Sequence, residues 1–271
     1  MGQSLADWLA LREPFDAAAR SATLARAISD ALPGDRPLRI VDLGTGRGSN
    51  VRYLSGCFSL PQEWLLLDED AAVLADVPGA MIGRLDAQCA IEVRQVNLGV
   101  LDSTMFEGRH LVTASALLDL VSEPWLRSLA DHCRAVGAVG LFALTYNGAS
   151  RCSPAEPEDD EIRELMNRHQ HASDKGFGRA AGPDAVTAAE RSFTAVGYRV
   201  ERAPSNWSLP PDAQDMQRRL VEGWAEAASE IAPGRSAMVR SWLRRRIDHI
   251  DAGRSHIVVC HEDLAACPSL R

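Results

Sequence analysis

Near the N-terminus, apolar residues recur at helical intervals: Leu5, Trp8, Leu9, Phe15, Leu24, Ile28 and Leu32. The spacing predicts helix over residues 4–32, ended by Pro33-Gly34 and divided in two at Pro14, which disfavours helical geometry at Glu13. From Leu38 the rhythm changes. Short apolar runs alternate with helical stretches, predicting strands at 38–43, 63–68, 92–97, 109–115 and 138–145 and a parallel sheet covered by helices. A helix over 123–136 follows Glu123-Pro124-Trp125, since proline in a first turn forfeits only an N–H that lacks an intrahelical partner anyway. Two late strands are expected at 198–203 and 256–260. Between them, residues 211–250 read as helix, with Leu220, Trp224, Met238, Trp242, Leu243 and Ile247 on the apolar face. A further insertion, 148–182, carries a proline- and acid-rich run (154–161) that predicts an exposed approach to a helix at 159–171. Gly176-Phe177-Gly178 then predicts a mobile turn.

Composition narrows the class. Hydrophobic residues make up 46% and charged residues 24% of the 271 positions, as in a soluble globular protein. No apolar run approaches the roughly 20 residues of a membrane span. Asp7, Arg12 and Glu13 in the first helix argue against a secretory signal peptide. Six cysteines without C-x-x-C spacing read as reduced thiols in a cytoplasmic setting, neither a disulfide framework nor a metal site. The net charge of −8 opposes nucleic acid as partner, because phosphate neutralisation supplies most of that affinity. Arg244-Arg245-Arg246, with Asp248 and Asp251 close by, reads as a solvated helix face. A small-molecule partner fits better.

The candidate chemistry lies in Val41-Asp42-Leu43-Gly44-Thr45-Gly46-Arg47-Gly48-Ser49. A buried strand runs into a glycine-rich turn that opens a helix, as in nucleotide-type cofactor sites. Position 49 is serine, so the dinucleotide pattern G-x-G-x-x-G is not met. Asp42, two residues before the first glycine, suits a ligand carrying positive charge better than a pyrophosphate.

Here the chain resembles the class I S-adenosylmethionine-dependent methyltransferases, whose first motif is an acid followed by G-x-G-x-G after strand one. Trp64-Leu65-Leu66-Leu67-Asp68 supplies a second match, a buried strand ending in an acid. The resemblance implies a Rossmann-like doubly wound α/β fold with a mostly parallel seven-stranded sheet, an antiparallel last strand at the sheet edge and helical lid insertions. It implies S-adenosyl-L-methionine as cofactor, with Asp42, Gly44, Thr45 and Gly46 at the turn and Asp68 on the ribose hydroxyls. Asn97 and Leu98 are implied near adenine, although the family often has an acid where Asn97 stands. Ser115 and Ala116 are implied near the methionine part, with Leu117 or Leu118 under adenine.

Methyl transfer is an in-line displacement, so the protein mainly aligns the reactants and excludes water. A base is required only where the acceptor must lose a proton. His169 and His171 are the candidate bases, since imidazole titrates near neutral pH. Tyr146, Asn147, Asn167, Asp174 and Lys175 are candidates for orienting a polar substrate, and Trp207 for walling its pocket or joining the core. No metal is expected at His169-x-His171, because helical residues two apart diverge. Asp119 reads as a helix N-terminal acid, and Arg12, Glu13 and Arg20 as surface ion pairs in preference to caps over the cofactor pocket.

The expected organisation is an N-terminal helical cap, 1–36, before a methyltransferase domain, 37–271, with insertions at 148–182 and 208–252. Methyl transfer to a small molecule is the expected function. Open alternatives are an RNA or protein acceptor, a non-catalytic cofactor-binding subunit, and a nicotinamide dehydrogenase.

Overall fold

Strand β1 (Leu38–Leu43) is buried along nearly its whole length, as a parallel strand covered by helices on both faces must be. In the computed structural model, which describes residues 5–81, 85 and 88–269, it lies at the centre of the sheet. Two helices precede it, α1 (Leu5–Ala19) and α2 (Ala22–Ala31). After it come α3 (Ser49–Leu54), β2 (Gln62–Asp68), α4 (Ala71–Ala75), α5 (Val77–Met81), β3 (Cys89–Gln95) and β4 (Leu111–Ser115). The chain continues through α6 (Glu123–Val136), β5 (Val139–Ser153), α7 (Asp159–Ala172), α8 (Ala185–Ala195), β6 (Tyr198–Pro204) and β7 (Trp207–Leu209). Two long helices, α9 (Gln214–Ile231) and α10 (Ser236–Asp251), lead to the final strand β8 (His256–Pro268).

The sheet order is β3-β2-β1-β4-β5-β8-β6. Strands β1 to β5 run parallel, and β8 runs antiparallel to both β5 and β6. The expected strands are present with two corrections. The antiparallel last strand is inserted between β5 and β6, so β6 forms the edge. An eighth strand, β7, pairs with β8 through Trp207↔Val259 and Leu209↔Ile257.

Strands β5 and β8 also outrun their expected ends. Glycine and polar residues after Thr145 look like a loop, yet Ser150–Ser153 pair with His256–Val259 beyond a bulge. The last strand, expected at 256–260, runs on to Pro268 with Asp263 buried inside it. Its carboxylate accepts the Leu144 N–H and the Ser21 N–H, both at 2.8 Å. Leu144 sits at another register shift, between Phe142 and Thr145, with φ +56, a conformation a leucine holds only when its surroundings impose it.

The break in the first helical region falls at Arg20-Ser21 and not at Pro14, which α1 carries internally. Ser21 caps α2, its side chain accepting from the Leu24 N–H. The two pieces do different things. Leu24, Ile28 and Leu32 of α2 pack with Leu38, Ile40, Trp64 and Leu66 in the core on one sheet face. α1 buries only Asp16 and lies over the carboxyl ends of the strands. A second core beneath α6 and α8 covers the other face. A third joins the outer parts of β5 and β8 to α7, α9 and α10.

Of the basic run of α10, Arg244 alone keeps the expected solvated position, while Arg245 and Arg246 turn toward the acid-rich run. Arg246 is fully buried and paired with Asp159, while Arg245 pairs with Glu156 and Glu158. The acid-rich run expected to be exposed therefore meets these two arginines.

Candidate functional site

The turn after β1 holds Gly44 at φ +66 and Gly46 at φ +53, left-handed values that favour glycine. A Cβ on Gly44 would come within 3.3 Å of Leu117 Cδ1, and one on Gly46 within 3.2 Å of Leu9 Cδ1. The missing side chains leave bare backbone facing a cavity of about 280 Å³. Asp68 closes β2 beside it. Its Oδ2 accepts the Gly46 N–H at 2.8 Å and its Oδ1 the Asp70 N–H at 3.0 Å, so the second-strand acid and the glycine turn form one unit.

Asp42 has a different place from the one expected. It is fully buried beneath the turn and does not line the cavity. Its Oδ1 accepts from Asn50 Nδ2 at 2.5 Å, and the same amide donates to Thr113 Oγ1 at 3.1 Å. Burial pushes the Asp42 carboxyl up to about 6, against the pull of these donors and of Arg20. Asp42 thus orients Asn50, which does line the cavity. Asn50 Oδ1 is buried there without a partner, a polar atom positioned for a ligand.

Gly44, Thr45, Gly46, Asp68, Leu98, Ser115 and Ala116 line this cavity as expected. Asn97 does not: its Oδ1 turns back to the Gly99 N–H at 2.7 Å and shapes the local turn. Of the two leucines expected under adenine, Leu117 lines the cavity and Leu118 joins the core. Ala116 has φ +52, and its N–H is held by the Ala143 carbonyl at 2.9 Å. Arg12 lines the cavity, the less favoured of its two readings, together with Asp16, which sequence reasoning did not single out. The two pair at 2.9 Å, i,i+4 on α1, and the packing of α1 over the strand ends turns that pair inward.

A second cavity, of about 410 Å³, adjoins the first and shares Leu5, Leu9, Arg12, Ala116, Leu120 and Lys175 with it. Trp8, Trp207, Trp224 and Tyr146 give it aromatic walls. Trp207 is both core and wall. Asp119, Gln170 and His261 supply polar atoms, of which Asp119 Oδ1, Gln170 Oε1 and His261 Nδ1 are buried without partners. Asp119 does stand in the first turn of a short 3-10 helix, Leu118–Leu120, but it is only 8% exposed, and burial pushes its carboxyl up to about 6. Burial, helped by Arg12, pushes His261 down to about 3, so its ring is neutral at physiological pH.

The other expected substrate and base residues divide. Lys175, Tyr146 and Trp207 line the second cavity. Asn167 stands behind it, accepting from the Tyr146 hydroxyl at 3.0 Å. Asn147 points to Glu262 at 3.2 Å, and Asp174 caps the turn to Gly176 and Gly178. The candidate bases are outside both cavities. His169 meets Glu230 of α9 at 2.9 Å, and His171 faces Asp184 at 3.7 Å. On α7 the inward face is carried instead by Met166 and Gln170, four residues apart. Among the described residues, no three His, Cys, Asp or Glu side chains converge as a metal site. No described helix is long and apolar enough to cross a membrane.

No protein-family model matches the chain, and no curated protein matches it in sequence. Similarity is found among solved structures. A Bacillus halodurans protein described as a candidate methyltransferase superposes with a TM-score of 0.50 at 15% identity, over 92% of this chain and 100% of that one. The cyclopropane synthase MmaA2 of Mycobacterium tuberculosis superposes with a TM-score of 0.48 at 13% identity, over 90% of this chain and 81% of that one. The mostly parallel sheet with its antiparallel strand and the first of these comparisons show the fold: the chain has a Rossmann-like methyltransferase fold.

Proposed function

We propose that the protein is an S-adenosylmethionine-dependent methyltransferase acting on a small molecule. The observation that carries this reading is the unit formed by Gly46 and Asp68 at the mouth of the first cavity, with Asp42 buried behind it. Open backbone at Gly44 and Gly46 admits a ligand closely, and the Asp68 carboxylate retains acceptor capacity for two vicinal hydroxyls. Leu98, Leu117 and Val73 offer apolar surface for a base, while Asn50 Oδ1 and Asp16 present acceptors to a cationic amine. When bound, the sulfonium cofactor supplies an activated methyl group. The residues of the chain bind and orient it, and α1, lying over the strand ends, restricts water. The absence of a disulfide at any of the six cysteines fits a reducing cytoplasmic compartment.

Calorimetry with S-adenosylhomocysteine tests the reading. Wild type binds; Asp68→Ala loses about 10- to 100-fold in affinity, as expected for lost charge-assisted hydrogen bonds. Absence of binding by wild type, or equal binding by the variant, overturns it.

A further inference from the structure

The second cavity carries more information than the fold requires. Resting on the methyl-donor reading of the first cavity, we propose that the second holds a flat aromatic acceptor bearing hydroxyl groups, and that Asp119 accepts the hydroxyl proton. The walls argue for a ring. Trp8, Trp207, Trp224 and Tyr146 enclose the space, and stacked or edge-on aromatic contacts stabilise beyond simple area burial.

The unpartnered atoms argue for donors on that ring. Asp119 Oδ1 and Gln170 Oε1 are acceptors buried without a hydrogen bond, which costs free energy unless a ligand supplies O–H or N–H groups. The charges then favour hydroxyl over ammonium. Arg12 is balanced by Asp16, but Lys175 lines the same cavity and disfavours a second cation. A hydroxyl that becomes anionic gains from Lys175. His261, neutral in this setting, offers a hydrogen bond without charge.

The proton balance is simple. The aromatic O–H bond breaks with its electron pair left on oxygen, and the proton passes to Asp119 Oδ1. The oxygen then forms its bond to the methyl carbon as the carbon–sulfur bond breaks, its electron pair staying on sulfur. Asp119 suits the task because burial raises its carboxyl to about 6, making it a better proton acceptor than an exposed aspartate.

The test uses the full chain saturated with S-adenosylhomocysteine and three probes in calorimetry. Catechol has ring and hydroxyls, cyclohexane-1,2-diol has hydroxyls without an aromatic ring, and phenethylamine has a ring with an ammonium group. Catechol is expected to bind at least about 10-fold more tightly than either of the others. With S-adenosylmethionine and catechol, Asp119→Asn is expected to lower turnover at least about 100-fold while S-adenosylhomocysteine affinity is unchanged. Binding of the diol or the amine as tight as that of catechol, no catechol binding at millimolar concentration, or full turnover by Asp119→Asn overturns the proposal. Failure of the wild type to bind S-adenosylhomocysteine overturns instead the reading on which it rests.

Discussion

The indole N–H of Trp207 donates to Asp16 Oδ1 at 2.9 Å, joining α1 to β7 across 191 residues of chain. Arg12 completes the junction. It reaches both oxygens of Asp16, at 2.9 and 3.2 Å, and its guanidinium lies 5.0 Å from the centre of a Trp207 ring. Asp16 and Trp207 are both buried, so the cluster ties the roof over the two cavities to the sheet extension beneath it. Trp207→Phe keeps an aromatic wall but removes the donor. It is expected to cost about 2 kcal/mol in urea unfolding, the scale of a buried hydrogen bond to a charged group. A variant as stable as wild type would deny the indole its anchoring role.

Asp42 gives a pH signature. Its carboxyl lies near 6 in the folded protein because burial disfavours the charged form. An unfolded aspartate titrates near 3.9, so between these values the folded state binds more protons and stability falls as pH rises. The stabilising contribution is complete below about 4 and is lost as pH passes through about 6, a change of roughly 3 kcal/mol at most. Asp42→Asn retains an acceptor for Asn50 but cannot titrate. Its stability relative to wild type is expected to increase from pH 4 to pH 7 in chemical denaturation. A flat difference across that range counts against the raised value.

Two arginines of α10, two residues apart, should behave oppositely. Arg246 is fully buried, donates to Asp159 and to the Pro154 carbonyl, and shares Asp159 with the Trp242 indole. Arg246→Ala strands a largely buried carboxylate and is expected to cost about 3 to 5 kcal/mol. Arg244 is exposed, and Arg244→Ala is expected within about 0.5 kcal/mol of wild type. Equal losses for the two in guanidinium unfolding would contradict the assigned roles.

His169 and His171 provide a control for the placement of the site. Both face carboxylates away from the cavities. His169→Ala and His171→Ala are expected to keep S-adenosylhomocysteine affinity and methyl-transfer turnover within about 2-fold of wild type, as surface substitutions do. A loss of turnover beyond about 100-fold in either would restore it as a proton acceptor.

Local signals carried far along the core sheet. Apolar runs ended in Gly44 and Asp68 at the distances required, and both line the first cavity. They were legible because strand burial and turn chemistry depend on near neighbours in sequence. Elsewhere, local character misled. The apolar run of the last strand ends at Cys260, and only the two N–H groups that Asp263 accepts, from Leu144 and Ser21, explain its burial farther along β8. The polar density of 167–175 pointed to Lys175, which lines the cavity, but also to His169 and His171, where the cavity takes Gln170 instead. A helix presents each residue type by angle, and composition does not state that angle.

The order of residues alone was enough to specify a doubly wound sheet, its glycine turn and the acid closing the second strand. Each of these follows from periodicity or backbone conformation over a few residues. Which charges cancel, as Arg246 with Asp159, and which polar atoms stay unpaired, as on Asp119 and Gln170, emerged only when distant segments packed together. Electrostatic and hydrogen-bond partners are set by distance in space, and at 87 or more residues of separation the chain order carries no measure of that distance.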